Sequence, residues 1–172
     1  MSIAGDRSRT SPGWLQVAGH DKEGRESRSV LFLPPSLQDA ITADARAAFP
    51  RECCGLIEGV REGSAARALA IHPVRNLARE PDRFELDPAE HFRLMRTLRG
   101  TARAIVGCYH SHPNGRAELS ARDRAGAGED DFLWLIAGVD ANGAMAWSCH
   151  AVREGVWRDV EIAASEAQSS CA

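Results

Sequence analysis

Hydrophobic positions divide this chain into short alternating or continuous apolar runs, separated by turns rich in glycine, proline and charge. Val30-Leu31-Phe32-Leu33 reads as a strand that Pro34-Pro35 terminates. Beyond it, Leu37, Ile41, Ala45 and Ala48 recur at helical spacing, with Ser36 placed to cap a helix that ends before Pro50. Cys53 to Val60 is a second strand, and Arg61-Glu62-Gly63 turns it into a third over Ala66 to His72, extended through Val74 and Leu77. Asp87-Pro88-Ala89-Glu90 opens a second helix. Asp87 is its cap, Pro88 its first residue and Glu90 the far side of a capping box. Phe92, Met95 and Leu98 are expected to form the buried face of this helix, and Gly100 ends it.

A fourth strand spans Ala104 to Tyr109. A loop and a short helix near Ser120 to Ala127 follow, then three strand candidates at Phe132 to Val139, Ala144 to Val152 and Val156 to Ile162. The order predicts one α/β (α+β) domain over residues 29–163, with a curved mixed sheet flanked by helices. Residues 1–28 lack periodicity and read as a flexible extension, and residues 164–172 read as a tail.

Composition adds mainly exclusions. The 172 residues suffice for one core, and the net charge of −3 marks neither a nucleic-acid nor a membrane-surface binder. No apolar run reaches the ~20 residues of a membrane span, and no leader pattern opens the chain, so a cytoplasmic location is expected. Cys53, Cys54, Cys108, Cys149 and Cys171 are odd in number and lack finger spacing, which suggests free, mostly buried thiols. Whether the vicinal pair Cys53-Cys54 has a redox role is left open. His20, His72, His91 and His150 have no partner spacing.

The chemistry concentrates in His110-Ser111-His112-Pro113 and Ser120-Ala121-Arg122-Asp123. Strand side chains alternate, so His110 and His112 leave the end of their strand on one side and can share one zinc ion. Cys108 has the same parity, but a core role suits it better. Ser120 is a natural helix cap, which puts Asp123 in the first turn as a plausible third ligand. Three protein ligands leave a fourth position to water, the arrangement of a catalytic zinc site. Such a site also needs a carboxylate outside the ligand set as general base.

The layout His110-Ser111-His112-Pro113, Ser120, Asp123 resembles the motif of the JAMM (MPN-plus) zinc metallopeptidases. Arg51-Glu52-Cys53-Cys54-Gly55-Leu56-Ile57-Glu58-Gly59 is similar to that family's upstream glutamate segment. Pro73-Val74-Arg75-Asn76 and Phe84-Glu85-Leu86-Asp87-Pro88 look like connecting segments of its bacterial members. The resemblance implies a cytidine-deaminase-like fold, zinc on His110, His112 and Asp123, Glu52 as acid/base and Ser120 as oxyanion donor. It implies hydrolysis of an amide or isopeptide at the Gly-Gly terminus of a ubiquitin-like or sulfur-carrier protein. Three other readings fit the same layout: a non-catalytic MPN scaffold, a RadC-like DNA-associated protein, and a phage-tail or cell-wall peptidase. A RadC-like protein would more often carry Asn where Ser111 stands. A deaminase is disfavoured, since no Pro-Cys-x-x-Cys follows a His-x-Glu.

Overall fold

A computed structural model describes residues 28–126, 129–143 and 145–164. The expected extension, with Trp14 and His20, lies almost wholly outside these residues, as do Cys171 and most of the expected tail. The elements run β1 (Val30–Phe32), α1 (Pro35–Ala48), β2 (Cys54–Glu62), β3 (Ala65–Val74), α2 (Pro88–Leu98) and β4 (Ala104–His112). They continue with α3 (Ala121–Gly126), β5 (Leu133–Val139), β6 (Met145–Arg153), β7 (Val156–Asp159) and β8 (Glu161–Ala163).

All eight strands join one mixed sheet in the order β7-β6-β5-β4-β2-β3-β1-β8. β4 and β5 run parallel, as do β1 with β3 and β1 with β8, while the remaining pairs are antiparallel. The last segment, expected as one strand over Val156 to Ile162, is split at Val160. Its two halves lie at opposite edges of the sheet although a single residue separates them. Only a strongly curled sheet permits that. Val160 is buried and donates its N–H to Cys149 O at 2.8 Å, which draws the two edges together.

Strand alternation assigns each helix a face. Ile57 and Tyr109 join Leu33, Ile41, Ala45 and Leu135 under α1, whereas Leu56 and Cys108 join Val74, Leu94 and Leu98 under α2. Leu98 is buried as expected, but the expected burial of Phe92 and Met95 is overturned: they are 63% and 50% exposed, and Leu94 points inward beside Leu98. A four-residue spacing keeps Leu94 and Leu98 aligned above one sheet, while Phe92 sits on the far side of the helix.

Two caps also differ from expectation. α1 begins at Pro35 after Pro34, so Ser36 lies inside the helix and makes no capping bond. Asp87 caps α2 through Ala89 N at 2.9 Å, but Glu90 turns to Arg93 rather than closing a box. Among the described residues no helix is long and apolar enough to cross a membrane.

Candidate metal centre and active site

β4 runs three residues further than its apolar pattern foretold, so both histidines belong to the strand rather than to the loop after it. His110 and His112 share the parity of Cys108 and therefore face the α2 side of the sheet, where they are 0% and 6% exposed. Parallel pairing with β5 holds this end, with His110 beside Ile136 and His112 beside Gly138. The turn after Pro113 then folds back across β5. A Cβ on Gly138 would meet Gly115 O at 2.6 Å, so only glycine admits that close approach.

α3 supplies the third group. Asp123 N donates to Ser120 Oγ at 3.1 Å and Ser120 N donates to Asp123 Oδ2 at 2.7 Å, the reciprocal bonds of a capping box. The same box aims the Asp123 carboxylate at the histidines. Oδ1 lies 3.4 Å from His110 Nε2, Oδ2 lies 3.5 Å from His112 Nε2, and the two Nε2 atoms are 3.1 Å apart. Bonds of about 2.0–2.1 Å to a tetrahedral ion would set donors ~3.3 Å apart, so the three groups fit a single zinc-sized cation.

His112 Nδ1 donates to Arg116 O at 3.0 Å, which leaves the Nε2 lone pair of the neutral ring directed at His110. His110 Nδ1 is buried with no hydrogen-bond partner among the described residues, and its ring is stacked on Phe84 at 4.2 Å and 18°. Trp134 adds an edge contact at 6.1 Å.

Burial lowers the His110 pKa, and Asp123 offsets this only in part. Burial also acts to lower His112, but Asp123 and Glu52 outweigh it and leave the group raised. Burial would raise Asp123, yet both histidines and the Ser120 side chain hold it far below the usual carboxylate range. An ionised Asp123 and a neutral His110 suit a cation, and a cation held by all three groups would need His112 neutral as well, against the rise its acidic neighbours cause.

Glu52 stands just before β2 and is 7% exposed. It lines a cleft of about 460 Å³ together with Asp82, Phe84, Ser120, Asp123 and Trp134. That cleft continues past Glu52 and Ser120 toward His112, Asn114 and Arg116. Burial pushes the Glu52 carboxyl up to about 7, with His112 opposing and Asp123 reinforcing the rise. A carboxyl raised in this way, beside the donor triad but outside it, is of the kind that can exchange a proton near neutrality. Glu52, Ser120 and Asp123 line the cleft and His112 lines its continuation, while His110 is fully buried behind it and joins them through the donor triad.

The sequence did not single out Phe84, Trp134 or Ser111 for this site. Ser111 is fully buried inside the motif; its Oγ accepts Cys53 N–H at 2.9 Å and its N–H donates to Cys53 O at 3.1 Å. Cys108 is a core residue on the same face, outside the donor cluster. Among the described residues Cys53 and Cys54 form no disulfide and are buried, and burial pushes each thiol up to about 12.

Comparison with known proteins agrees with this geometry. A family model described as prokaryotic homologs of the JAB domain matches residues 34–150. The chain is similar to a desampylase of Haloferax volcanii, 34% identical over 132 residues, covering 73% of this chain and 94% of the relative. A CysO-cysteine peptidase of Mycobacterium tuberculosis is 34% identical over 107 residues, covering 62% of this chain and 72% of the relative. Among solved structures, the protein DSY2949 of Desulfitobacterium hafniense superposes with a TM-score of 0.70 at 27% identity, covering 78% of this chain and 92% of that one. The chain belongs to the prokaryotic JAB-domain family, the compact branch of the JAMM/MPN fold.

Proposed function

We propose that this chain is a zinc-dependent amide hydrolase that cleaves at the Gly-Gly terminus of a small ubiquitin-like or sulfur-carrier protein. One observation carries the reading: Glu52, a buried carboxylate outside the donor triad whose pKa burial raises to about 7, lines one cleft with Asp123 and its continuation with His112, two members of the triad that His110 completes. Two imidazoles and one carboxylate suit zinc better than the all-oxygen cations. Held there, zinc would supply Lewis-acid activation of water and of the scissile carbonyl.

The chain's own groups account for the remaining chemistry. Glu52 accepts a proton from the attacking water and later delivers it to the leaving amine, which its burial-raised pKa favours at neutral pH. Ser120 lines the cleft beside Asp123 and Glu52, within reach of a developing oxyanion. Phe84 and Trp134 wall one side and limit water. A cleft of about 460 Å³ admits a few residues of extended chain, not a folded domain. That suits a flexible glycine tail hanging from a carrier.

The named relatives support this substrate class, since one is a desampylase and the other a CysO-cysteine peptidase. The test is a carrier ending in Gly-Gly, fused to a short peptide and followed by mass spectrometry. Glu52→Gln should abolish cleavage at the junction while bound zinc stays stoichiometric. Full activity of that variant would remove Glu52 from the chemistry.

A further inference from the structure

The Pro73-Val74-Arg75-Asn76 run, to which the mechanism assigns nothing, ends β3 and opens the segment that leads to α2. The Asn76 carboxamide in that run is bonded through both its oxygen and its nitrogen. Its Oδ1 accepts Ala78 N–H at 2.9 Å and Glu85 N–H at 3.0 Å. Its Nδ2 donates to Glu52 O at 2.9 Å and to Arg83 O at 2.9 Å. A carboxamide has two donor hydrogens and two acceptor lone pairs, so every valence of this side chain is used.

The segment also holds Glu52 from its other side, because Glu52 N donates to Pro81 O at 2.9 Å. Leu77 N bonds Glu85 O at 2.9 Å, and an isolated bridge pairs Asn76 with Leu86, closing the loop on itself.

We infer that Asn76 is a positioning residue for the acid/base, clamping the main chain of Glu52 to the loop that carries Asp82 and Phe84. The inference rests on the reading of Glu52 given above. An ordinary loop asparagine accounts for only half of the pattern: the bond from Ala78 N is an Asx turn, which Asp or Ser would also make. The two donated bonds are different. They reach the carbonyl of Glu52, 24 residues back in the chain, and that of Arg83, next to the residue stacked on His110. One side chain therefore ties the general base and the packing wall of a metal ligand to the same loop.

The residue type is tightly constrained. Aspartate at this position would keep both accepted bonds and set a carboxylate oxygen against two carbonyls. Alanine would lose all four bonds without adding charge. A carboxylate that swings even ~1 Å from its working position can lose about 100-fold in rate.

The experiment uses the full zinc-loaded chain as wild type, Asn76→Asp, Asn76→Ala and Glu52→Gln, with the Gly-Gly carrier–peptide fusion as substrate. Both Asn76 variants should lose about 10–100-fold in kcat, with KM within about threefold and zinc content unchanged. By NMR, the Glu52 amide should lose its exchange protection in both, while the Ala78 and Glu85 amides keep theirs in Asn76→Asp. Unchanged kcat and a still-protected Glu52 amide in both variants would overturn the inference. So would loss of kcat accompanied by loss of protection throughout β2 and β4, which marks collapse of the sheet. If the wild type fails to cleave the fusion, or Glu52→Gln cleaves it fully, the functional reading fails instead. The Glu52 amide in Asn76→Asp would still decide whether the clamp exists.

Discussion

Ser111 and Cys53 exchange two bonds across β4 and the entry to β2: Ser111 N donates to Cys53 O at 3.1 Å, and Ser111 Oγ accepts from Cys53 N at 2.9 Å. The second bond replaces a ladder carbonyl with a side chain. It fixes the peptide that follows Glu52 against the residue lying between the two histidines.

Removing that hydroxyl should loosen Glu52 relative to the metal donors without touching either. Ser111→Ala is expected to lower kcat by about 10-fold or more and to retain zinc. Thr at this position keeps the oxygen and should restore most of the rate. Steady-state kinetics beside metal analysis separates this outcome from loss of the metal.

The triad predicts a linkage between metal and stability. Any ion bound only by the folded chain stabilises it by about 2.7 kcal/mol at 100 times its Kd. Chelation should therefore lower the Tm of the wild type, and added zinc should raise it again. In His110→Ala, His112→Ala or Asp123→Ala the zinc-dependent shift should vanish. His72→Ala, on β3 and outside the donor triad, should keep it. Differential scanning fluorimetry reads all five proteins.

Gly55 explains why the upstream segment needs a glycine. It pairs with Tyr109 across β2 and β4, and a Cβ there would lie 2.3 Å from the Tyr109 ring and 2.6 Å from His72 O. The ring is fully buried under α1 and its hydroxyl donates to Asp44 at 2.7 Å, so it has nowhere to move. Gly55→Ala should cost about 1–3 kcal/mol or more. Urea denaturation should show it, and Tyr109→Phe should not relieve it, since the ring remains.

How much of this was legible in the sequence depended on whether the deciding contact was local. The capping box of Ser120 and Asp123 is a three-residue relationship, and the shared face of His110 and His112 follows from strand alternation. Both were readable. Glu52 lies 58 residues upstream of His110 in the numbering, and no local rule brings them together; the antiparallel pairing of β2 with β4 does. Phe92, Met95 and Leu98 offered a stripe no worse than Leu94 and Leu98, because the choice of buried face belongs to the sheet beneath. The splitting of the last strand at Val160 required knowing that the sheet curls. Asn76 and Ser111 act through main-chain partners, which residue types do not display. Leu94→Ala should accordingly cost about 2–5 kcal/mol and Phe92→Ala within about 0.5.

Glu58 gives the fold an acid-sensitive joint away from the cleft. It is buried at a double bulge of β2, where the register shifts against both β3 and β4. His72 Nε2 lies 2.8 Å from one oxygen and Arg103 Nη1 lies 3.0 Å from the other. Burial would raise its pKa, but these two bonds outweigh it and the group is lowered. A depressed carboxylate stabilises the fold above its unfolded pKa of about 4.3 and loses that contribution as pH falls through its folded value. Stability should therefore decline below pH ~4, and Glu58→Gln should flatten the decline while costing about 1–3 kcal/mol at pH 7. Urea midpoints measured between pH 3 and 7 check both.

Glu52 has the opposite sign. Its carboxyl is raised to about 7, burial first among the causes, so the folded chain binds this proton more tightly than the unfolded chain does. Stability from this group is whole at low pH and is lost as pH rises from the unfolded value of about 4.3 through 7. Metal-free Glu52→Gln, which keeps the shape without the charge, should be more stable than the wild type at pH 8 by about 1–3 kcal/mol. Below pH ~4, where both states are protonated, the two should nearly coincide. A variant that is inactive yet more stable only where the wild-type carboxyl is ionised is the behaviour of a group kept under strain for its chemistry. Equal stability of the two proteins at pH 8 would mean that Glu52 is solvated in the cleft and is not held near neutrality.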